Sequence, residues 1–414
     1  ASSPPGVEDE ALMRRHILRL DGRPNRWHGA AGIGEVARVA APLAVGTLSL
    51  TLMQFCDRLF LSWYSPAAIR AALPAGILSF TIMSGLLGLV AYGGTLVAHA
   101  HGAGDRPLCA RAAGQAVLLA IVLGPVLLLA RPLGRAILTH SGHGADVLPL
   151  ELEYFDLLMA GGLGPLLSHA LAGFFSGRSD TGTVMWANVA GNLLNILLDW
   201  VLIFGRLGLP ALGIRGAAIG TVVSGFVTAA ILAIRFFSAG HRREYETPNA
   251  LRPDLHLLAR LLRFGVPAGV HMWLDLTSFT FFVLLTGRFG PAEHAASNIA
   301  LAINSLAFMP TLAVGQAATV VVGQYQGRGR SDLARRAGWS ALALAAGYMG
   351  AIALTYVAVP DLYIALFTDR GPGAVPHAEV APIARRLLWM LAIWSTGDAT
   401  DLALAGALKG AGDT

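Results

Sequence analysis

The chain has 414 residues, of which 55% are hydrophobic and only 13% are charged, whereas an average soluble domain has roughly 25% charged residues. This composition excludes an ordinary soluble globular protein, and the mean hydropathy of +0.59 indicates a polytopic membrane protein. The formal net charge is +5, which in a soluble chain suggests nucleic-acid binding. Here it reflects arginines in loops on one side of a membrane, and no nucleic-acid partner is expected. Two cysteines, Cys56 in an apolar stretch and Cys109 in a polar loop, cannot form a disulfide framework.

The apolar stretches predict ten transmembrane helices. A helix needs about 20 mostly apolar residues to cross the hydrocarbon core of a bilayer. The stretches that meet this requirement are 36–63, 72–99, 110–130, 152–176, 184–205, 213–238, 257–287, 293–325, 333–358 and 381–407. Residues 1–35 contain five arginines and no apolar segment, so we expect a cytoplasmic N-terminal tail rather than a secretory signal.

Basic residues are distributed unevenly between the two ends of these spans. With a cytoplasmic N-terminus, 20 Lys and Arg residues fall in cytoplasmic connections and nine fall on the opposite side. This positive-inside bias predicts a multi-pass protein of the cell (inner) membrane with its N-terminus in the cytoplasm. The longest polar connection, 239–256, is predicted to be a cytoplasmic linker between an N-lobe (36–238, spans one to six) and a C-lobe (257–414, spans seven to ten).

The two lobes are related by an internal repeat. At an offset of 225 residues the aligned pairs include Arg38 with Arg263, Pro42 with Pro267, Gly102 with Gly327 and Gly104 with Gly329. Later the offset becomes 233, and Asp180 aligns with Asp413. Because both lobes start on the cytoplasmic side, the repeat is parallel and its axis lies along the membrane normal. We therefore predict an all-α membrane protein with two homologous six-helix lobes. The second lobe stops after its fourth helix in this chain, and we expect spans eleven and twelve to follow Thr414.

Signatures of enzymes and of cofactor sites are missing from the sequence. A phosphate-binding loop needs Gly-Lys-Ser/Thr, and the only lysine, Lys409, is not followed by Ser or Thr. The motifs HExxH, GxSxG and CxxC do not occur. His99, His101 and Cys109 lack the spacing of a standard zinc site, and the glycine pair that includes Gly104 is interpreted as a tight turn. We expect no enzymatic activity, no cofactor and no catalytic metal.

Carboxylates inside predicted spans each cost several kcal/mol and are by default functional candidates. Those in the most apolar surroundings are Asp57, Asp199, Asp275 and Asp398, with Asp401 three residues beyond Asp398 on the same face. Asp57, Asp275 and Asp398 align with Phe282, Leu50 and Pro165, so these three acids do not recur in the other copy of the repeat, whereas the prolines and glycines do. We interpret these acids as functional additions to a shared scaffold.

The fifth span carries a polar stripe that ends in one of these acids. Asn188, Asn192, Asn195 and Asp199 are spaced 4, 3 and 4 residues apart, which places them on one face of a helix. Amide hydrogen bonds between helices are one explanation of such a stripe. An inward-facing ion site is the other, and the ionisable group at its end favours it.

The C-lobe offers a second set of candidates. His271 and Asp275 are one helical turn apart, as are Trp394 and Asp398, so each pair shares a helix face. A His–Asp pair of this kind is either a structural contact or part of a functional site, and the sequence leaves both open.

These residues together resemble the multidrug and toxic compound extrusion family of secondary transporters. The segment from Gly177 to Gly220 resembles the family pattern of a GxxDT loop, then NxxNxxLDxxxIFG, then GxxGAAxxT. Pro42 with Asp57 resembles the first span of the family, Pro267 with Asp275 the seventh, and Asp398 followed by GALKGAGDT the tenth. The resemblance covers nearly the whole chain from about residue 34.

The resemblance implies two six-helix lobes around a V-shaped cavity, with export of mostly cationic, amphipathic compounds in exchange for protons or sodium. It implies a cation site at Asp57, Asn195 and Asp199 in the N-lobe and another at Asp275 and Asp398 in the C-lobe, with sodium possible at either. The side chains that we expect to line the substrate cavity are Asn188, Asn192, His271, Trp394 and Met53.

Two features depart from the family: residue 275 is Asp where Glu is frequent, and Arg58 follows Asp57 where a small residue is usual. We expect a monomer in the lipid bilayer.

Other classes of protein stay open at this point. A lipid-linked oligosaccharide flippase of the same superfamily needs several arginines in its cavity for pyrophosphate, and Arg58 is the only basic residue clearly within a span. A membrane-embedded enzyme would need a catalytic constellation, and none with recognisable spacing is found.

Overall fold

The computed structural model describes residues 29–141, 144, 146–286, 290–367 and 376–413. Most of the predicted cytoplasmic tail and Thr414 therefore lie outside the described residues. Within them, all regular structure is helical, which confirms the predicted all-α class.

Eight helices lie in the described part of the N-lobe. They are α1 (Ile33–Tyr64), α2 (Pro66–Ala91), α3 (Gly93–Gly102), α4 (Arg106–His140), α5 (Leu148–Gly161), α6 (Leu163–Gly177), α7 (Thr181–Phe204) and α8 (Ile214–Phe236). Helices α2 and α3 follow each other directly, as do α5 and α6, so that each pair forms one long span. Asp105 begins α4 by accepting a hydrogen bond from the backbone N–H of Leu108 at 2.9 Å, and Gly205 ends α7 in the left-handed conformation with φ of 67°, as such caps require.

The linker and the C-lobe complete the chain. The linker contains α9 (Ala239–Glu244) and a 3-10 turn (Thr247–Asn249). The C-lobe helices are α10 (Leu255–Thr286), α11 (Pro291–Gly327), α12 (Ser331–Ala358), α13 (Pro360–Phe367) and α14 (His377–Ala411). Cys109, which the sequence placed in a polar loop, lies instead in the first turn of α4 and is fully buried. The polar loop is shorter than predicted because the cap at Asp105 starts the helix early.

Eight spans among the described residues are long and apolar enough to cross a membrane. Helices α10 and α14 have 32 and 35 residues but carry more charged and polar side chains, and they do not meet the same criterion. All ten predicted stretches are helical over most of their described residues, with one-residue breaks at Tyr92 and Gly162 and shorter helix ends at Gly205, Gly213 and 237–238. The count of ten spans stays a prediction.

The repeat seen in the sequence appears as a two-fold relation between the lobes. A side chain at Gly102 would collide with the backbone of Gln324, and one at its repeat partner Gly327 would collide with the backbone of His99. His99 and Gln324 are themselves repeat partners. Gly104 and Gly329 both have positive φ, 77° and 69°, so the predicted tight turn is present in both copies. The lobes therefore meet through equivalent surfaces of α3 and α11.

Five spans of the N-lobe form a ring. Helix α1 packs on α7, α7 on α8, α8 on α5 and α6, and these on α2 and α3, which return to α1. Helix α4 lies on the outside of this ring, where Gly124 contacts Leu163 of α6. Polar side chains that point inward from these five spans therefore lie in the interior of the ring.

The linker is docked on the N-lobe rather than extended. The guanidinium of Arg178 lies 4.0 Å from the ring centre of Phe174 and 4.6 Å from that of Tyr245. Gln115 of α4 donates to the Arg252 carbonyl at 2.9 Å and accepts from the Asp254 N–H at 3.0 Å. The stacking and the paired hydrogen bonds fix the path of the chain from the N-lobe into α10.

Candidate functional site

Two acids predicted from the sequence meet inside the N-lobe. Asp57 on α1 and Asp199 on α7 lie close enough for their carboxylates to interact electrostatically. The hydroxyl of Tyr154 on α5 interacts with the Asp57 carboxylate. One oxygen of each carboxylate is buried and has no hydrogen-bond partner. Two acids with buried, unsatisfied oxygens form a site that a cation or a proton would complete.

The Asp199 carboxylate is held between α7 and α8. In the amide orientation that satisfies both ends of Asn195, its nitrogen donates to Asp199 Oδ2 at 3.0 Å and its oxygen accepts from the Thr221 N–H at 3.0 Å. Both Asn195 and Asp199 are fully buried. The other oxygen of Asp199 packs against Gly220, where a Cβ atom would collide with it. Space at Gly220 and the amide of Asn195 therefore set the position of the acid.

The lower half of the asparagine stripe contacts α1. Asn192 donates to the hydroxyl of Ser49 at 2.7 Å, and the amide of Asn188 lies 3.3 Å from the Cβ position of Gly46. Asn188 and Asn192 therefore contact a neighbouring helix. Such interhelical contacts are one of the two explanations of the stripe. Asn195 and Asp199, the upper half, build the acidic site. One end of the stripe thus contacts α1, and the other end contributes to the acidic pair.

Sequence reasoning missed three members of this site: Tyr154, Gly220 and Thr221. Tyr154 is 5% exposed and lies among Glu151, Glu153 and Asp156 at the start of its span, and no pattern there marks it as a contact of Asp57. Gly220 and Thr221 close the GxxGAAxxT motif. That motif was a signal for them, although it did not show which acid they contact.

The C-lobe candidates are more open. His271 Nδ1 lies 3.0 Å from Asp275 Oδ2, and their side chains are 62% and 67% exposed. The Asp398 carboxylate interacts electrostatically with Asp275, so the structure brings these two acids together as well. The two side chains are therefore in contact but exposed, and both interpretations of the His–Asp pair stay open.

The remaining predicted cavity residues differ in position. Trp394 is 54% exposed and forms an edge-to-face contact with Phe282 of α10, with ring centres 6.2 Å apart. Met53 is buried at 8% exposure. Arg58 is exposed and contributes electrostatically to Asp57, as its place next to that acid predicts.

The fold and the buried acids define a membrane transporter built from two related helical lobes. The profile of the MatE family matches residues 42–201 and 267–414, the two segments that the internal repeat relates. The chain belongs to this family, and the protein is a transporter rather than an enzyme.

Several relatives cover most of the chain. A probable multidrug resistance protein NorM from Burkholderia pseudomallei is 32% identical over 381 residues, which are 92% of this chain and 81% of that protein. A probable multidrug resistance protein NorM from Pseudomonas putida is 33% identical over 380 residues, 91% of this chain and 81% of the relative.

Solved structures share the fold. A MOP superfamily transporter from Pyrococcus furiosus superposes with a TM-score of 0.82 at 23% identity, covering 94% of this chain and 84% of that chain. A multidrug resistance MATE family transporter in an outward-facing conformation gives a TM-score of 0.82 at 22% identity, with the same coverage. A eukaryotic MATE transporter gives 0.79 at 21% identity over 92% of this chain and 83% of that chain.

Proposed function

We propose that this protein is a secondary active multidrug exporter of the cell membrane that exchanges organic cations for protons or sodium ions. The observation that carries the proposal is the buried pair of Asp57 and Asp199, each with an oxygen that has no hydrogen-bond partner. The names of the NorM relatives support multidrug export. The coupling ion, the cationic class of substrate and the orientation with a cytoplasmic N-terminus are part of the proposal.

The acidic pair supports coupling for an electrostatic reason. Two carboxylates that share a buried site cannot both stay ionised at low cost, so one proton or one cation is favoured between them. The oxygen atoms of Asp57, Asp199 and Tyr154 suit a hard cation such as sodium as well as a proton. When the charge of the pair is neutralised, the lobe loses the charge that retains an organic cation. Ion binding and substrate release are then linked reciprocally.

The contacts between the lobes support an outward-open arrangement. Gln324 of α11 donates to the Gly177 carbonyl at 2.8 Å, and the His99 Nε2 lies 2.7 Å from the Gly410 carbonyl. These four residues lie at the helix ends that the arginine distribution assigns to the cytoplasm. Because the lobes are joined there, access to the interior is from the opposite side, towards which His271 and Asp275 lie along α10. Export follows when these contacts break and the lobes rock to open the cytoplasmic end.

The test is transport by the full-length protein in sealed vesicles. A fluorescent organic cation is supplied, and either a pH gradient or a sodium gradient is imposed separately. We expect one of the two gradients to drive movement of the cation against its own concentration difference, and dissipation of that gradient to stop it. Movement that only follows the concentration difference, under both gradients, would contradict secondary active export.

A further inference from the structure

The N-lobe interior contains a histidine that the acidic site does not use. His169 lies on α6, and its ring Nδ1 is 2.9 Å from the Pro165 carbonyl oxygen. A carbonyl oxygen only accepts hydrogen bonds, so Nδ1 carries the hydrogen in the neutral ring. The lone pair of a neutral imidazole is then on Nε2, which is available to a ligand.

The contacts of α6 fix the direction of this side chain. Pro165, one turn before His169, contacts Gly225 of α8, and Gly173, one turn after it, contacts Gly94 of α3. His169 therefore points between α8 and α3. Leu163, which faces the outer helix α4, lies about 120° away around the helix. The imidazole therefore faces the ring interior. His169 is exposed, and this exposed surface borders the space inside the ring.

His169 lies at the depth of the lower half of the asparagine stripe. Ser168 donates to the Gly225 carbonyl of α8 at 3.1 Å, and Gly191 of α7 meets Thr228, one turn further along the same helix. His169 is therefore level with Asn188 and Asn192. We call His169, Asn188, Asn192 and Ser49 the deep tier. Since Asp199 meets Gly220, five residues before Gly225, the deep tier lies roughly 7 Å below the acids along α8.

The deep tier differs from the acidic site in chemistry. Asn192 donates its amide to Ser49, and the asparagine and serine side chains have no charge. The acids above attract any cation, whatever its substituents, because the attraction depends on charge alone. An imidazole Nε2 instead accepts a hydrogen bond, which requires an N–H or O–H on the ligand.

We propose that His169 is a specificity-determining residue of the N-lobe, at which Nε2 accepts a hydrogen bond from the N–H of a protonated amine. This inference rests on the proposed export of organic cations. It predicts a preference for protonated amines over quaternary ammonium ions of similar size, which have a charge but no N–H to donate. His169→Leu removes the acceptor, and His169→Gln replaces it with an amide oxygen of similar reach.

The experiment compares a tertiary amine in its protonated form with its N-methyl quaternary analogue, transported by the full chain in proteoliposomes. A hydrogen bond to a charged donor contributes enough for about a tenfold effect. We expect His169→Leu to raise the KM of the amine about tenfold, with kcat and the KM of the quaternary ion within about twofold of wild type. His169→Gln should restore most of the lost preference.

The ratio of the two KM values is measured within each variant, so a variant that folds in lower yield still gives a valid ratio. An unchanged ratio in both variants, or a ratio in His169→Gln no different from that in His169→Leu, would overturn the role of His169 while export by the wild type still stands. Failure of the wild-type protein to transport either compound would overturn the proposed function, and this inference with it.

Discussion

The carboxylate of Asp199 occupies the space that a side chain at Gly220 would need. Helices α7 and α8 approach at this point, and the acid is seated between the Asn195 amide and bare backbone. The position of the charge in the N-lobe therefore depends on a glycine of a neighbouring helix.

Replacement of Gly220 by Ala tests this relationship. The added methyl group should push Asp199 out of its position, at a cost of about 1–3 kcal/mol for overpacking. We expect gradient-driven transport to fall at least tenfold while the protein still inserts. Gly347→Ala in α12 is the matched control, because nothing lies within 4 Å of the Cβ that it adds. Equal transport by the two variants would show that the acid does not need its observed position.

The contact of His99 with Gly410 gives a second prediction. Its repeat partner is Gln324, which makes the equivalent bond to Gly177, so a glutamine fits this position in the other lobe. His99→Gln should keep the contact between the lobes, and His99→Leu should lose a hydrogen bond of about 1 kcal/mol. That loss corresponds to a roughly fivefold shift of the lobes towards the cytoplasm-open state.

Spin labels measure this shift. Cysteines introduced at Arg106 and Arg330, both exposed, report the distance between the lobes after Cys56 and Cys109 have been replaced. We expect a larger population with a long distance in His99→Leu than in wild type or His99→Gln. If His99→Gln opened as much as His99→Leu, the two positions would not be equivalent.

Much of this arrangement could be predicted from the sequence. The spacing of the polar stripe and the repeat depend on neighbours along one helix and on simple alignment, so both are visible in one dimension. Asp57, Asn195 and Asp199 were predicted to lie together, and the structure places them in one lobe. The turn at Gly104 was predicted from its recurrence at Gly329.

The rest of the site depends on contacts between helices that are distant in the sequence. Tyr154 contacts Asp57 from α5. Gly220 is important because the Asp199 carboxylate of α7 packs against it. His169 is a single histidine in an apolar stretch, and only the neighbours of α6 show that it faces the ring interior. From the sequence alone, the acids of both lobes are equally good candidates for an ion site. In the structure they differ, because Asp199 is buried and Asp275 is exposed.

Gln115 supports a prediction about the linker. Gln115→Met keeps the size of the side chain but removes both hydrogen bonds to residues 252 and 254. We expect faster amide hydrogen exchange over residues 250–256, because these backbone groups lose their partners. Gln326→Met is the control, since Gln326 is exposed. Unchanged exchange in Gln115→Met would mean that other contacts, such as the Arg178 stack and the Arg111–Asp254 ion pair, hold the linker without these two hydrogen bonds.

The two acidic sites should differ in importance. The Asp275 side chain is 67% exposed and pairs with His271, whereas Asp199 is fully buried, so Asp275 depends less on a bound ion for its stability. We expect Asp275→Asn to retain at least half of the gradient-driven accumulation of wild type. A loss in Asp275→Asn as large as that in Asp199→Asn would place the coupling in both lobes.

The central claim is that the charge of Asp199 couples the ion to the substrate, and accumulation of a fluorescent cation against its concentration difference tests it most directly. Asp199→Asn keeps shape and hydrogen-bonding capacity, so it should insert with normal thermal stability yet lose uphill accumulation under either gradient. Asn195→Ala should retain part of it, because an amide positions the acid without carrying the charge. Full uphill accumulation by Asp199→Asn, with Asn195→Ala unstable, would contradict the account and leave the stripe as a structural contact between helices.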